Sequence, residues 1–296
     1  MITRIPILLL TASSVLSAQG STSGFGTMEL PFTARNASMA EANAADRSNG
    51  LTSLLNPALL AGTQTFGISV SHQSWMQDIR SNFLFVNVPF SFLNVGLSVS
   101  TTSVGGIEIR DAPGPAIGEF DARTAIIAGT AAYEIEPNVG IGATFKYVYE
   151  KIYVEEASSV LFDVGAFYRP PVEGLSAGVS LQHLGFAGAL RKEKAKLPTQ
   201  ARIGLAYETI VDDFRILGVL AGTSRSTGTS FRVHTGAECT YAGLVSVRVG
   251  YQTGFEARAV SGGLGLFYGN FSFDYGTVPF SLGLGTGHLL TLGYRF

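Results

Sequence analysis

Low charge, abundant glycine and short alternating apolar segments together predict an all-β fold, a transmembrane up-and-down antiparallel β-barrel of about fourteen strands with an N-terminal hatch segment. Only 14% of the 296 residues are charged, against about 25% in an ordinary soluble domain. Hydrophobic residues make up 46% of the chain and glycine fills 36 positions, about 12% where about 7% is usual. A water-facing surface needs more charge than this. Yet no stretch reaches the roughly 20 continuous apolar residues that a membrane helix requires. A closed barrel resolves the conflict, because its backbone groups pair between strands while alternate residues face lipid and lumen.

The first residues read as an export signal, expected over 1–20. Met1 to Arg4 is short and positive, Ile5 to about Leu16 is apolar, and Leu16-Ser17-Ala18 or Ala18-Gln19-Gly20 offers small residues for cleavage.

Residues 21–63 form a different kind of segment. Met39 to Asp46 suggests one or two weak helical turns, and Asn56-Pro57 interrupts the apolar stretch Leu51 to Leu60, because proline disfavours helix in its predecessor. This composition does not suit a barrel wall. A periplasmic tail and a plug folded into the lumen are the two readings, and the small apolar residues favour the plug.

From 64 to 296 the sequence repeats period-2 segments broken by Gly, Pro, Asn or charged turns. They lie near 65–76, 81–89, 93–104, 122–134, 138–150, 158–169, 174–184, 199–208, 214–224, 231–241, 244–254, 259–268, 270–278 and 287–296. Val139, Ile141, Ala143, Phe145, Tyr147 and Tyr149 alternate with Gly140, Gly142, Thr144, Lys146 and Glu150. The first set suits lipid and the second a polar lumen. Short connections such as Ala242–Gly243 alternate with longer ones at Gly105–Asp121 and Gly185–Pro198, as periplasmic turns alternate with external loops. Aromatic residues near strand ends, among them Phe83, Phe85, Phe90, Phe92, Tyr147, Tyr153, Tyr168 and Phe271, are expected to form interfacial girdles.

The polar face should carry Lys146, Asp163, Arg202, Glu208, Arg232, Glu238, Arg248, Gln252, Asp274 and Arg295. Inward charges can pair or meet water, whereas charges facing lipid are costly. Their near balance of sign argues against a strongly ion-selective pore.

Chemistry-bearing motifs are missing from the sequence. His72, His183, His234 and His288 lack the close spacing of a metal site. The Gly283-Leu-Gly285-Thr-Gly287 run lacks the lysine and helix of a phosphate loop. The single cysteine, Cys239, reads as a small wall residue. A net charge of −2 offers no footprint for nucleic acid. The expectation is a non-enzymatic protein without a cofactor or metal, set in outer-membrane lipid of a Gram-negative-type cell.

Leu290, Leu292, Tyr294 and Phe296 alternate up to the final aromatic residue. That pattern looks like the last-strand signal read by the outer-membrane assembly machinery.

With these residues in view, the chain resembles the PorV/PorQ family, within the wider FadL-type barrels. The resemblance rests on Thr33 to Ala42 leading to Asn56-Pro57-Ala58, on Trp75 with Asp78-Ile79-Arg80, and on Leu197-Pro198-Thr199 with Arg202 to Tyr207. Arg248 to Gly254, Asp274-Tyr275 and Val278-Pro279-Phe280 continue it in order. It implies a fourteen-stranded barrel whose hatch motif is Asn56, Pro57 and Ala58. It also implies association with protein export of the type IX kind, with secretion-system subunits or secreted cargo as partners. FadL-type relatives imply the alternative, transport of hydrophobic small molecules across the outer membrane.

Overall fold

In a computed structural model the described residues are 26–76, 78–110, 114–190, 193–194, 196–226 and 231–296. The expected export signal lies outside them. Fourteen strands close into one antiparallel barrel. They are β1 Gly67–Ser74, β2 Ile79–Pro89, β3 Asn94–Ile109, β4 Gly118–Glu136, β5 Val139–Ile152, β6 Glu155–Tyr168 and β7 Leu175–Phe186. The second half comprises β8 Gln200–Val211, β9 Phe214–Arg225, β10 Arg232–Tyr241, β11 Val245–Gln252, β12 Val260–Tyr268, β13 Phe271–Pro279 and β14 Thr286–Arg295. Every strand pairs with its sequence neighbour, and β1 pairs with β14 from Gly67 opposite Arg295 to Ser74 opposite His288. The barrel sheet has no free edge, which is what a lipid environment demands.

Burial alternates along the strands as the sequence pattern predicts. In β11, Val245, Val247, Val249 and Tyr251 are exposed outward while Ser246, Arg248, Gly250 and Gln252 are buried inward. Cys239 is exposed on the outer face of β10. The turns at the barrel end that carries Gly67 and Arg295 are tight, at 137–138, 212–213 and 269–270, whereas the longer connections after Ile109 and Phe186 leave from the opposite end. The end carrying Gly67 and Arg295 thus corresponds to the end that faces the periplasm in outer-membrane barrels. Outward aromatic pairs ring it: Phe214 with Tyr241, Phe271 with Tyr294, and Phe66 with Phe296, at ring-centroid separations of 5.0, 4.7 and 4.6 Å.

Three sequence expectations change. The external loop expected over Gly105–Asp121 shrinks because β3 and β4 keep pairing to Ile109 and Gly118 past a bulge between Val104 and Ile107. Phe83 and Phe85 do not join a girdle. They are 5% and 2% exposed and point into the lumen, where Phe83 stacks 5.5 Å from Phe32 of the hatch. Finally, the helix forms at Ala34–Ser38, capped by Thr33, and not over Met39–Asp46. The reason is competition for backbone carbonyls. His234, Arg202, Asn56 and Ser176 bond the carbonyls of Ala40, Glu41, Ala44 and Ala45, and Ala40 and Glu41 adopt positive φ.

Candidate functional site

The lumen is filled by residues 26–63, built from the short helix Ala34–Ser38 and the 3-10 turns Gly26–Glu29, Gly50–Leu54 and Pro57–Gly62. Each of the last two turns is started by an asparagine side chain: Asn49 accepts from the Leu51 amide and Asn56 from the Ala58 amide. Pro57 occupies the first position of its turn, where its missing N–H costs nothing.

The hatch motif works by close approach to the wall. Asn56 Nδ2 donates to the carbonyls of Ala44, 3.1 Å away in the hatch, and Ala166, 3.0 Å away in β6. A Cβ at Gly165 would stand 2.0 Å from Asn56 Oδ1, and one at Gly142 would stand 2.5 Å from the Pro57 carbonyl carbon. Only glycine leaves the space these segments occupy. On the other side, Gly250 and Gly276 make the same allowance for Ala40 and Ala34. Much of the unusual glycine content thus serves the seating of the hatch. Ala58, Leu59 and Leu60 are fully buried and pack on Phe83, Phe85 and Phe167.

Wall side chains supply the remaining hydrogen bonds. Ser180 and Gln182 donate to the carbonyls of Leu55 and Leu54, Ser261 to Ser38, and Asn94 to Leu60 and Ala61. The Ala34 amide donates to Thr291 Oγ1 at 2.9 Å.

The structure gathers the sequence-predicted lumen charges into separate groups. Glu238 is the hub of one. Arg35 reaches it with Nε and Nη2 at 2.8 and 3.0 Å, Arg248 Nε at 2.5 Å, and Arg215 at 3.3 Å. Arg248 also bonds Asp274 at 2.6 Å, Arg35 bonds Asp46 at 2.6 Å, and Arg215 bonds Glu208 at 3.3 Å. Burial alone would lower the Arg35 pKa, but Asp46 and Glu238 outweigh it and raise the guanidinium above its ordinary value. Lys146 pairs instead with Asp163 at 2.5 Å. Arg202 and Arg232 face inward elsewhere, Arg202 donating to the Glu41 carbonyl at 2.7 Å. Leu290 and Leu292 face outward on β14, and the rings of Tyr294 and Phe296 meet edge to face at its periplasmic end.

Sequence reading missed Arg35 and Asp46 as functional positions, although an arginine in a stretch of small residues signals that a carboxylate is waiting for it. It also missed the inward turn of His183. A register shift between β6 and β7 and a positive φ at His183 put it and Gln182 on the same side. Its backbone N–H then donates to Asp163 Oδ1, and its ring bonds the Pro198 carbonyl. Among the described residues, no group of three His, Cys, Asp or Glu side chains converges as a metal site.

The hatch is a septum. On its extracellular side lies a chamber of about 80 Å³, apolar where Met28, Leu30, Phe32, Leu54 and Ile126 line it and charged where Lys146, Arg202 and Arg225 share the wall with Glu29 and Glu41. On its periplasmic side lies a vestibule of about 370 Å³ lined by Arg35, Arg47, Arg215 and Arg295. Consecutive residues of one helix, Arg35 and Asn36, line the two compartments.

Neither a family model nor a curated protein matches the sequence. Solved structures do match the fold. A deltaS2S3 mutant of the monoaromatic hydrocarbon channel TodX superposes with a TM-score of 0.67 at 9% identity, covering 90% of this chain and 99% of that one. The toluene transporter TodX of Pseudomonas putida gives 0.61 at 10% identity, covering 85% and 95%. The monoaromatic hydrocarbon channel CymD gives 0.60 at 12% identity, covering 89% and 97%. The chain therefore has the fold of these outer-membrane barrel channels.

Proposed function

We propose that the protein is a non-enzymatic outer-membrane channel for hydrophobic small molecules. The observation that carries this reading is the partly apolar chamber above a seated hatch, set in a barrel whose outer face is apolar. Structural likeness to channels described as carrying monoaromatic hydrocarbons supports it. At about 80 Å³ the chamber is smaller than the apolar cavity of about 150 Å³ that benzene fills. Passage of an aromatic molecule therefore requires the hatch or its wall contacts to shift. Cells bearing the protein should take up labelled toluene faster than cells lacking it. Equal uptake overturns the reading.

The ordered resemblance to PorV/PorQ segments favours a second role, carriage or anchoring of exported protein. Affinity purification from native membranes should then recover secretion-system subunits or secreted cargo. Repeated recovery of the barrel alone excludes that role.

A further inference from the structure

Three strands of the lumen wall carry arginines around one height. Arg202 on β8 lies opposite Thr223 on β9, and Thr223 lies opposite Arg232 on β10. The two arginines thus flank a neutral residue across two strand spacings, about 10 Å. Arg225 follows two residues after Thr223 on the same inward face. A fourth arginine, Arg258, descends from the loop between β11 and β12. The guanidinium carbons of Arg232, Arg258 and Arg225 lie 3.7, 4.2 and 5.8 Å from the ring centroid of Phe255. Gly254, at φ +77°, makes this possible: a Cβ there would stand 2.8 Å from Arg232 Cγ.

The charge around this ring does not balance. Glu29 pairs with Arg225, and the Glu41 carboxylate acts on Arg202, Arg232 and Arg258. Four guanidinium groups therefore face two carboxylates. Burial lowers the pKa of Arg258, with Arg225 pushing the same way. Hydrogen bonding is incomplete as well. The Nε atoms of Arg202, Arg225 and Arg232, and Nη1 of Arg232, are buried without a hydrogen-bond partner among the described residues. Buried donors are rarely left unpaired, and uncompensated buried charge is costly.

We propose that this arginine ring binds an oxyanion, a phosphate or carboxylate group, where its members Arg202 and Arg225 line the extracellular chamber. Guanidinium groups match both anions in charge and in the planar pairing of their donors. A chamber of about 80 Å³ accommodates such a group, since one water takes about 30 Å³. The adjacent Met28, Leu30 and Phe32 leave an apolar surface for the body of an organic anion. The site does not depend on hydrocarbon passage, so its test is binding to the purified protein.

Calorimetry and thermal melting of the full-length protein in detergent, with inorganic phosphate, benzoate and the neutral benzyl alcohol, distinguish the sources. Saturable binding of phosphate alone identifies a free-ion site. Binding of benzoate but not benzyl alcohol identifies the head of an organic anion. In either case Arg202→Gln, in the chamber wall, should weaken binding about tenfold or more, whereas Arg295→Gln, at the periplasmic mouth, should leave it unchanged. If Arg202→Gln fails to fold, Arg225→Gln carries the same expectation. Absence of saturable binding by both anions, or unchanged affinity in the arginine-ring variant, overturns the proposal.

Discussion

Arg35 of the hatch and Glu238 of β10 meet in a two-point ion pair, with Nε 2.8 Å from Oε2 and Nη2 3.0 Å from Oε1, both side chains almost completely buried. The pair ties the hatch to the wall, and Glu238 simultaneously neutralises Arg248 inside the wall. Replacing Glu238 with alanine leaves Arg35 and Arg248 short of counter-charge in an almost fully buried position. Loss of a buried partner costs about 3–5 kcal/mol. E238A should lower the melting temperature and raise single-channel conductance in planar bilayers, because the hatch loses its main ionic anchor. Wild-type conductance in E238A would show that the hatch is held elsewhere.

The seating of Asn56 against Gly165 makes a second prediction. Gly165→Ala places a methyl group within 2.0 Å of Asn56 Oδ1, and overpacking of this kind costs about 1–3 kcal/mol. Asn56→Asp turns a donor to two carbonyls into an acceptor facing them, at a cost of about 1–3 kcal/mol or more. Since both changes displace the same turn, the double variant should be less destabilised than the two effects added together. Denaturant titration of all four proteins measures the coupling, and strict additivity would remove the proposed contact from the account.

Membrane topology can be read with the native cysteine. Cys239 lies on the outward face between Ile216 and Val247 in neighbouring strands. In intact vesicles it should react with a lipid-soluble maleimide and resist a charged, water-soluble one. After detergent unfolding both reagents should label it. Rapid labelling by the charged reagent in vesicles contradicts a lipid-facing position.

A charge on the same band tests its contact with lipid energetically. Val249→Arg, deeper along β11 than Val245, which pairs with Tyr241 at the Phe214–Tyr241 girdle level, should destabilise the inserted barrel by about 2–4 kcal/mol. Leu282→Arg, in the external loop after β13, should instead change stability by less than about 0.5 kcal/mol. Folding yield into lipid vesicles, followed by heat-modifiable gel mobility, separates the two.

Particular residues show how far the sequence could be read. Val247 and Arg248 are assigned to opposite faces by the period-2 pattern alone, because successive side chains in a strand point opposite ways. Asn56-Pro57 likewise announces a turn through local chemistry. Phe83 escaped such reading: its alternation is correct, but an aromatic ring suits a lipid girdle and a hatch contact equally well. His183 escaped for another reason, since a register shift reverses the face on which the pattern would put it.

The sequence by itself determined the closed barrel, its strand number, the outward apolar face and the inward placement of Lys146, Arg202, Arg232, Glu238, Arg248 and Asp274. These follow from local periodicity and from the need to pair every backbone group within a membrane. Only the tertiary structure decided which of those charges meet. Arg35 and Glu238 are separated by 203 positions in the chain, and no local pattern spans that distance. Their encounter depends on barrel closure, on the path of the hatch through the lumen, and on wall glycines that let the two backbones come close. The same closure brings Arg225, Arg232 and Arg258 together around Phe255 and sets Arg202 and Arg225 in the chamber wall, a concentration of positive charge in a chain whose overall charge is nearly balanced.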